Sequence, residues 1–239
     1  MRRWYMLALV AALGLSACDD ALDPGDDTVR LLFDFNVGTF GWQAGFADYP
    51  VGEEELHELL SGQHALPAPL DQSRRGFHVS GLNHSDDLFM FLKRKVADLV
   101  PRAMYRVRFE LEIATNAPRG CSGVGGAPGE SVYLKVGAAD VEPNTIQQAG
   151  YQRMNIDVGS QSEGGENALV IGHVANSNTD CNAPVYQLKQ LISEPQIFEV
   201  EADAEGSLWL IIGSDSGYES TTSLWYTRVE VGLLQLASS

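Results

Sequence analysis

The segment Met104–Ala114, MYRVRFELEIA, decides the fold class. Its apolar and charged side chains alternate strictly along the chain. The apolar positions are Tyr105, Val107, Phe109, Leu111 and Ile113, and the charged positions are Arg106, Arg108, Glu110 and Glu112. A period of two places successive side chains on opposite faces of a strand. The segment therefore predicts a half-buried β-strand with one face in a core.

Similar strand signals recur at short intervals along the chain. They are Leu31–Phe35, Gly76–Ser80, Leu88–Val96, Ser131–Val136, Arg153–Val158, Leu169–Val174, Gln196–Ala202, Leu208–Gly213 and Ser223–Leu234. Asp203–Gly206 has the composition of a tight turn between two of them. The acidic start and the leucines of Gly52–Leu60, GEEELHELL, predict one short helix. The pattern predicts an all-β protein, an antiparallel β-sandwich or jelly roll with one short helix, as a single domain over residues 30–236.

The first residues have the composition of an export signal. Two arginines precede an apolar run from Trp4 to Leu15, which is shorter than the roughly 20 residues that a membrane-spanning helix needs. The sequence Leu15-Ser16-Ala17-Cys18 resembles the lipobox of bacterial lipoproteins at all four positions. This resemblance implies cleavage after residue 17 and lipid on the thiol and the new amine of Cys18. The alternative is an ordinary cleaved signal with an incidental cysteine.

Residues 18–29 are acidic and contain Pro24 and Gly25, which predicts a solvated tether between the lipid and the domain. The tether and the lipid would anchor the exported protein to a membrane of the cell envelope. Both the inner and the outer membrane stay open as its location.

The charge of the chain excludes one class of partner. The whole sequence has a net charge of −16, and the removal of two arginines with the signal would leave −18. Nucleic-acid binding depends on basic side chains that neutralise phosphates, so we expect no nucleic-acid partner. Adhesion to anionic lipid is disfavoured for the same reason. Neutral ligands, cations and basic partners remain compatible.

The cysteine count predicts a cross-link. With Cys18 assigned to lipid, Cys121 and Cys181 remain, both in loops rich in Gly, Asn or Pro. An even remainder in an oxidising compartment is typical of a disulfide. Closing a loop of about 60 residues would stabilise the fold by roughly 4 kcal/mol. Two free thiols or a soft-metal site are the alternatives.

Two stretches carry a resemblance to a known fold family. Residues 96–109, VADLVPRAMYRVRF, and residues 215–231, which end in SLWYTRVEV, are similar to a turn-and-strand and to the closing strand of galactose-binding-like jelly rolls. Many carbohydrate-binding modules have this fold, so the resemblance implies a glycan as ligand. The segments AGFADYP and NHSDDLFMFLK also resemble a family of bacterial envelope proteins with no assigned activity.

The densest polar cluster is NHSDD, residues 83–87. The carboxylates and the amide of Asn83 suit a calcium or ligand site. His84 with Asp86 or Asp87 suits the acid–base chemistry of a hydrolase. Neighbouring residues of an extended chain point to opposite faces, so Asp86 and Asp87 are not expected to share one ion. Alternatively, these side chains cap turns.

A second cluster, FADYP, contains Asp48 and Tyr49, and Trp42 lies a few residues earlier. Aromatic rings can stack on the apolar face of a sugar while a carboxylate accepts hydrogen bonds from its hydroxyls. We therefore take Trp42, Asp48 and Tyr49 as candidate ligand-binding residues. The alternative is a set of core aromatics beside a turn.

A third cluster, DSGYESTT, contains Asp215 and Tyr218 as candidate ligand-binding residues. Asp215 and Asp87 are the candidate ligands of a calcium ion, which is the only cofactor considered. The alternative is a polar connecting loop. The glycine-rich stretch Gly120–Gly129 lacks the Gly-Lys-[Ser/Thr] ending of a phosphate loop, and no zinc-binding histidine spacing occurs.

These observations leave three functions open. The preferred one is a lipid-anchored, non-catalytic module that binds a ligand, with carbohydrate as the expected class. The second is a structural component of the envelope that binds another envelope protein. The third is a hydrolase that uses His84 with Asp86 or Asp87.

Overall fold

A computed structural model describes residues 28–84, 87–196 and 198–237. These residues form fifteen strands and no helix. The strands are β1 (Thr28–Asp34), β2 (Gln43–Ala47), β3 (Tyr49–Pro50), β4 (Leu60–Ala65), β5 (Arg75–Leu82), β6 (Leu88–Val96), β7 (Met104–Thr115), β8 (Val132–Ala139), β9 (Thr145–Gln148), β10 (Tyr151–Met154), β11 (Ala168–His173), β12 (Gln187–Ile192), β13 (Phe198–Glu201), β14 (Leu208–Ser216) and β15 (Thr221–Gln235).

Two sheets stack face to face. The seven-stranded sheet has the order β12–β7–β15–β5–β4, with β1 paired to β15 and β13 paired to β7. The five-stranded sheet has the order β11–β8–β14–β6–β2. Their pairings are antiparallel. Strands β5, β6, β7 and β8 alternate between the sheets, as do β14 and β15, which is jelly-roll connectivity. The predicted antiparallel β-sandwich is confirmed.

The core lies between the two sheets. Strand β7 shows the predicted alternation, because Tyr105, Val107, Phe109, Leu111 and Ile113 are all buried in it. On the opposite face, the charged side chains of β7 form ion pairs at the surface. The segment that predicted a half-buried strand therefore has one core face and one solvent face.

Strand β6 differs from β7 because its residues from Leu88 to Leu92 are all buried. Phe89 and Phe91 point away from the main core and pack in a second cluster with Ile156 and Val158. A small third sheet, β3–β10–β9, belongs to the same region. We call residues 140–167 the cover segment, since it closes the outer face of the five-stranded sheet.

The helix predicted over Gly52–Leu60 is wrong, because residues 51–59 form turns and β4 starts at residue 60. One helical bond forms, from His57 N to Glu53 O (3.2 Å), but Glu58 has a left-handed φ of 47° that ends the turn. His57 is fully buried and Leu59 packs against the core, while Leu56 is 60% exposed. So short a segment has too few backbone bonds to hold a helix against tertiary packing.

Other boundaries also differ from the sequence prediction. The strand predicted over Arg153–Val158 ends at Met154, and strands β2, β3, β4, β9 and β12 were not predicted. Strand β1 begins at Thr28, inside the predicted tether. The predicted signal peptide and Cys18 lie outside the described residues. Within the described ranges, no helix is long and apolar enough to cross a membrane.

The predicted disulfide is confirmed. Cys121 and Cys181 are joined with an S–S distance of 2.05 Å and a Cα–Cα distance of 5.7 Å. Cys121 lies in the loop after β7 and Cys181 lies in the loop after β11. The bond therefore ties together two long loops at one end of the sandwich.

Candidate functional site

Three of the predicted site residues converge at the five-stranded sheet. Asp48 lies between β2 and β3, Asp87 directly precedes β6, and Asp215 lies on β14. Arg153 of the cover segment joins two of them, with Nη1 at 2.7 Å from Asp48 Oδ1 and 3.2 Å from Asp87 Oδ2. Lys135 of β8 binds Asp215 Oδ2 at 2.8 Å. We call these five side chains the acidic clasp.

The inner half of the acidic clasp is fully buried. The side chains of Lys135 and Asp215 are 0% and 1% exposed. Lys135 Nζ also donates to Val158 O at 2.9 Å, and Gln161 N donates to Asp215 Oδ2 at 2.9 Å. Both backbone partners belong to the cover segment. The buried ion pair therefore fastens that segment to the sheet.

The outer half of the acidic clasp has a perturbed carboxyl group. Burial, followed by the negative charges of Asp48 and Asp215, raises the pKa of Asp87 to about 7, although Arg153 opposes the shift. Burial also raises the pKa of Asp48. Crowded carboxylates in a poorly solvated site oppose each other's ionisation. The protonated form of Asp87 is therefore favoured relative to that of an exposed aspartate.

The side chains of the acidic clasp are suited to holding the cover segment on the five-stranded sheet. Its carboxylates contact a guanidinium and an ammonium group, which already balance most of their charge. Over the described residues, no three His, Cys, Asp or Glu side chains group as ligands of a metal ion. A calcium ion at Asp87 and Asp215 stays a prediction.

The aromatic candidates lie inside the protein. Trp42 is 3% exposed and packs edge-on against Phe33 at 5.5 Å between ring centroids. Tyr49 is 6% exposed and lies 5.2 Å from the ring of His57. Both side chains are core aromatics beside a turn. The proposed role of Trp42 and Tyr49 as a sugar platform does not fit these positions.

The NHSDD cluster divides between different partners. Asn83 is buried and donates from Nδ2 to Ser216 O (2.7 Å) and Tyr218 O (3.2 Å), so it supports the loop before β15. His84 forms a hydrogen bond from its Nε2 to the carbonyl of Leu56 (3.1 Å). Asp87 faces Arg153 in the acidic clasp. Asp86 lies outside the described residues.

The described contacts do not bring His84 and Asp87 together as a hydrolase pair, and a pairing of His84 with Asp86 stays a prediction. A general base must lie within hydrogen-bond reach of the proton that it takes, or act through one water. His84 packs against the ring of His57 at 5.7 Å, whereas the carboxylate of Asp87 pairs with Arg153. The contacts of His84 and Asp87 therefore hold them in separate environments.

Tyr218 lines an open cavity at the end of the sandwich where the disulfide lies. The cavity has a volume of about 250 Å³, and we call it the end cavity. Hydroxyl, amide, proline and aliphatic groups form its wall. The lining residues are Thr115, Asn116, Ala117, Pro118, Cys121, Ser122, Pro128, Val174, Cys181, Pro184, Tyr218, Thr221, Thr222, Ser223 and Leu224. None of these described residues carries a charged side chain.

The local sequence explains the shape of the end cavity. Both cysteines of the disulfide are lining residues, so the bond fixes two of its walls relative to each other. Tyr218 packs closely over Gly123, where an added Cβ would lie 2.3 Å from the tyrosine ring. The Oγ of Ser216 accepts a hydrogen bond from Tyr218 N at 3.2 Å. These contacts hold the Tyr218 side chain in place.

Sequence reasoning selected Tyr218 but missed the other cavity residues. Most of them lie in loops that meet through the Cys121–Cys181 bond, about 60 positions apart. The count of cysteines could have indicated this meeting point. The third predicted cluster is split by the fold, since Asp215 belongs to the acidic clasp and Tyr218 to the end cavity.

No family model and no curated protein sequence matches the chain. Among solved structures, carbohydrate-binding modules of the β-sandwich superfamily show 13% identity and a TM-score of 0.39, over 89% of this chain and 63% of that chain. A module studied for mannan recognition shows 9% identity and a TM-score of 0.35, over 88% and 99%. The K1 cleaved adhesin domain of Lys-gingipain from Porphyromonas gingivalis shows 9% identity and a TM-score of 0.34, over 88% and 99%.

The chain spans only 28% of the matched xylanase modules from Clostridium thermocellum and 63% of the matched modules with 13% identity. At such identities the likeness concerns the sandwich alone. The strand pairing given above establishes that sandwich independently.

Proposed function

We propose that this protein is a non-catalytic, glycan-binding β-sandwich that a lipid on Cys18 holds at the cell envelope. The observation that carries the proposal is the uncharged lining of the end cavity. In a chain with 48 charged side chains out of 239 residues, an open cavity without any of them selects for a neutral ligand.

The chemistry of the lining favours a saccharide. Hydroxyl and amide groups, such as those of Asn116, Ser122 and Thr221, can donate and accept hydrogen bonds. Tyr218 and the prolines supply apolar surface for the C–H face of a sugar ring. Concave, largely preformed sites with a few convergent polar groups are typical of small-ligand binding. A cavity of about 250 Å³ suits one sugar ring better than a long chain.

The outer face of the five-stranded sheet is a weaker candidate for the same role. Phe89 and Phe91 on that face are 0% and 2% exposed, because the cover segment packs on them. A ligand there would have to displace Ile156 and Val158 and break the acidic clasp. The end cavity needs no such rearrangement.

The proposed location is supported by two features. The lipobox resemblance at Cys18 implies a lipid anchor, and the Cys121–Cys181 disulfide fits an oxidising compartment. Replacement of Cys18 by alanine should move the protein from the membrane fraction to the soluble fraction and abolish incorporation of labelled palmitate. Retention of label in Cys18→Ala would refute the anchor and leave the proposed ligand site untouched.

Affinity electrophoresis of the lipidated protein in detergent tests the ligand. Mannan, xylan and β-1,4-galactan are suitable neutral probes, with polygalacturonate as the charged comparison. We expect retardation by at least one neutral polysaccharide and a loss of about tenfold or more in affinity for Tyr218→Ala, since an aromatic anchor in a cavity contributes over 1 kcal/mol.

Tyr151→Ala is the matched control, because Tyr151 is a similarly half-buried tyrosine that lies under Arg153 in the small third sheet, away from the end cavity. It should keep the affinity of the unmodified chain. Mobility unchanged by every neutral polysaccharide would overturn the proposal, and so would equal losses in Tyr218→Ala and Tyr151→Ala.

A further inference from the structure

Four rings form a row on the outer face of the seven-stranded sheet, next to the end cavity. His64 lies on β4, His78 on β5, Trp225 on β15, and Tyr186 immediately before β12. The ring centroids are separated by 5.3 Å from His64 to His78, 4.1 Å from His78 to Trp225, and 5.3 Å from Trp225 to Tyr186. We call these residues the ring row.

Strand register places these rings side by side. Trp225 pairs directly with His78 across β15 and β5, and its neighbours Leu224 and Tyr226 point into the core. Trp225 and His78 stack at an interplanar angle of 29°. Gly76 makes the close packing possible, since an added Cβ would lie 3.2 Å from the Cβ of Trp225. The sheet therefore presents the ring row on its solvent side.

Ser223 joins the ring row to the end cavity. Its Oγ lies 2.8 Å from His78 Nε2. The same serine lines the end cavity. Pro184, two residues before Tyr186, is a second lining residue, so one short segment serves both places. The cavity wall and the ring row are thus one continuous surface.

The central imidazole of the ring row is uncharged at neutral pH. Burial, followed by the neighbouring His64, lowers the pKa of His78 to about 4. Its side chain then offers one ring donor and one ring acceptor. Tyr186 and Trp225 add large amphipathic rings of the kind enriched at binding surfaces.

We propose that the ring row is a second subsite continuous with the end cavity, and that the ligand is an oligosaccharide several units long. This inference rests on the proposed glycan-binding function. The cavity holds one sugar unit beside Tyr218, and the following units lie along Ser223, Tyr186 and Trp225 toward His64. One sugar ring does not span three successive ring-to-ring steps, so only a longer chain contacts the whole surface.

Isothermal titration of the lipidated protein in detergent with manno-, xylo- and cello-oligosaccharides, from monosaccharide to hexasaccharide, tests this inference. We expect the affinity of the unmodified chain to rise about tenfold or more with length in at least one series, which corresponds to roughly 1.4 kcal/mol. In Trp225→Ala the gain with length should be lost while binding of the shortest ligand is kept.

His64→Ala provides a second variant whose folding is not at risk, because His64 is exposed at the far end of the row. It should reduce the affinity for the longest ligands alone. Tyr218→Ala should weaken binding at every length.

Affinity that does not depend on length, or a full gain with length in both Trp225→Ala and His64→Ala, would overturn the second subsite while the end cavity stays a binding site. Absence of binding at all lengths in all series would overturn the inference together with the function on which it rests.

Discussion

The outer faces of the two sheets differ in whether another segment of the chain covers them. The face of the five-stranded sheet is closed by the cover segment, and charged groups fasten it through the acidic clasp. The face of the seven-stranded sheet is open. Near the end cavity it carries the stacked rings of the ring row, and farther along it carries surface ion pairs such as Arg106–Glu199.

This difference separates two uses of polar side chains in one sandwich. In the acidic clasp, Lys135 and Asp215 Oδ2 bind each other and the backbone of the cover segment, while Asp215 Oδ1 is buried without a hydrogen bond from the described residues. In the ring row and the end cavity, hydroxyl, imidazole and aromatic groups are spread over an accessible surface. Buried opposite charges with fixed partners suit the attachment of one chain segment to another. Uncharged groups at the surface suit the recognition of a neutral ligand.

The largest effect is expected from breaking the buried ion pair. Lys135→Met should lower the free energy of unfolding by about 3–5 kcal/mol, because Asp215 would keep a buried charge without its cation and Val158 O would lose its donor. Urea unfolding followed by tryptophan fluorescence measures the change. The cover segment should also become more accessible to proteases.

The matched control is Arg228→Met on the open face. Arg228 and Glu230 form an ion pair of 2.8 Å whose side chains are 50% and 33% exposed. Removal of such a surface pair costs about 0–1 kcal/mol. A loss below 1 kcal/mol in Lys135→Met, or equal losses in the two variants, would show that the acidic clasp does not fasten the sheet.

The fold was predictable where the sequence pattern of a segment shows which of its side chains are buried. The alternation in β7 shows which residues face the core, and the cysteine count indicates the Cys121–Cys181 bond without any knowledge of the loops. The cover segment gave only a partial signal, because the predicted strand Arg153–Val158 overlaps β10 (YQRM) at two residues and β9 (TIQQ) lacks both an apolar run and a clear period. Their pairing depends on the sheet beneath them.

The candidate site was predictable only as separate pieces. Asp48, Asp87 and Asp215 were each selected for local reasons, but their convergence depends on the register that sets Asp215 opposite Phe89. One residue could have indicated the buried ion pair from the sequence alone. Lys135 interrupts the otherwise apolar strand VYLKVGAA, and a lysine in a buried strand requires a partner of opposite charge. No pattern in the sequence around Ser223 indicates that this residue lies between the end cavity and the ring row.

A smaller effect is expected from Asp87, and it should depend on pH. The pKa of Asp87 is about 7 in the folded protein, compared with about 3.9 in an unfolded chain. Between these values the folded state binds more protons, so the free energy of unfolding falls as pH rises from about 4 to 7 and stays low above it. Asp87→Asn should remove this loss and stabilise the protein at pH 8 by about 1–2 kcal/mol, after allowance for partial exposure and the lost contact with Arg153. The difference should shrink as pH falls and vanish below about pH 4.

His78→Gln on the open face is the counterpart, because its pKa is displaced in the opposite sense. His78 has a pKa of about 4 in the folded protein and about 6.5 when unfolded. The unfolded state binds more protons in this window, so the unmodified chain loses stability as pH falls from about 6.5 to 4. The glutamine can keep a hydrogen bond to Ser223 without titrating, so this variant should be more stable than the unmodified chain at pH 5 and not at pH 8.

Thermal unfolding at both pH values should therefore show gains in stability on opposite sides of neutrality for Asp87→Asn and His78→Gln. Gains on the same side would mean that the closed and the open face do not differ in how their groups titrate.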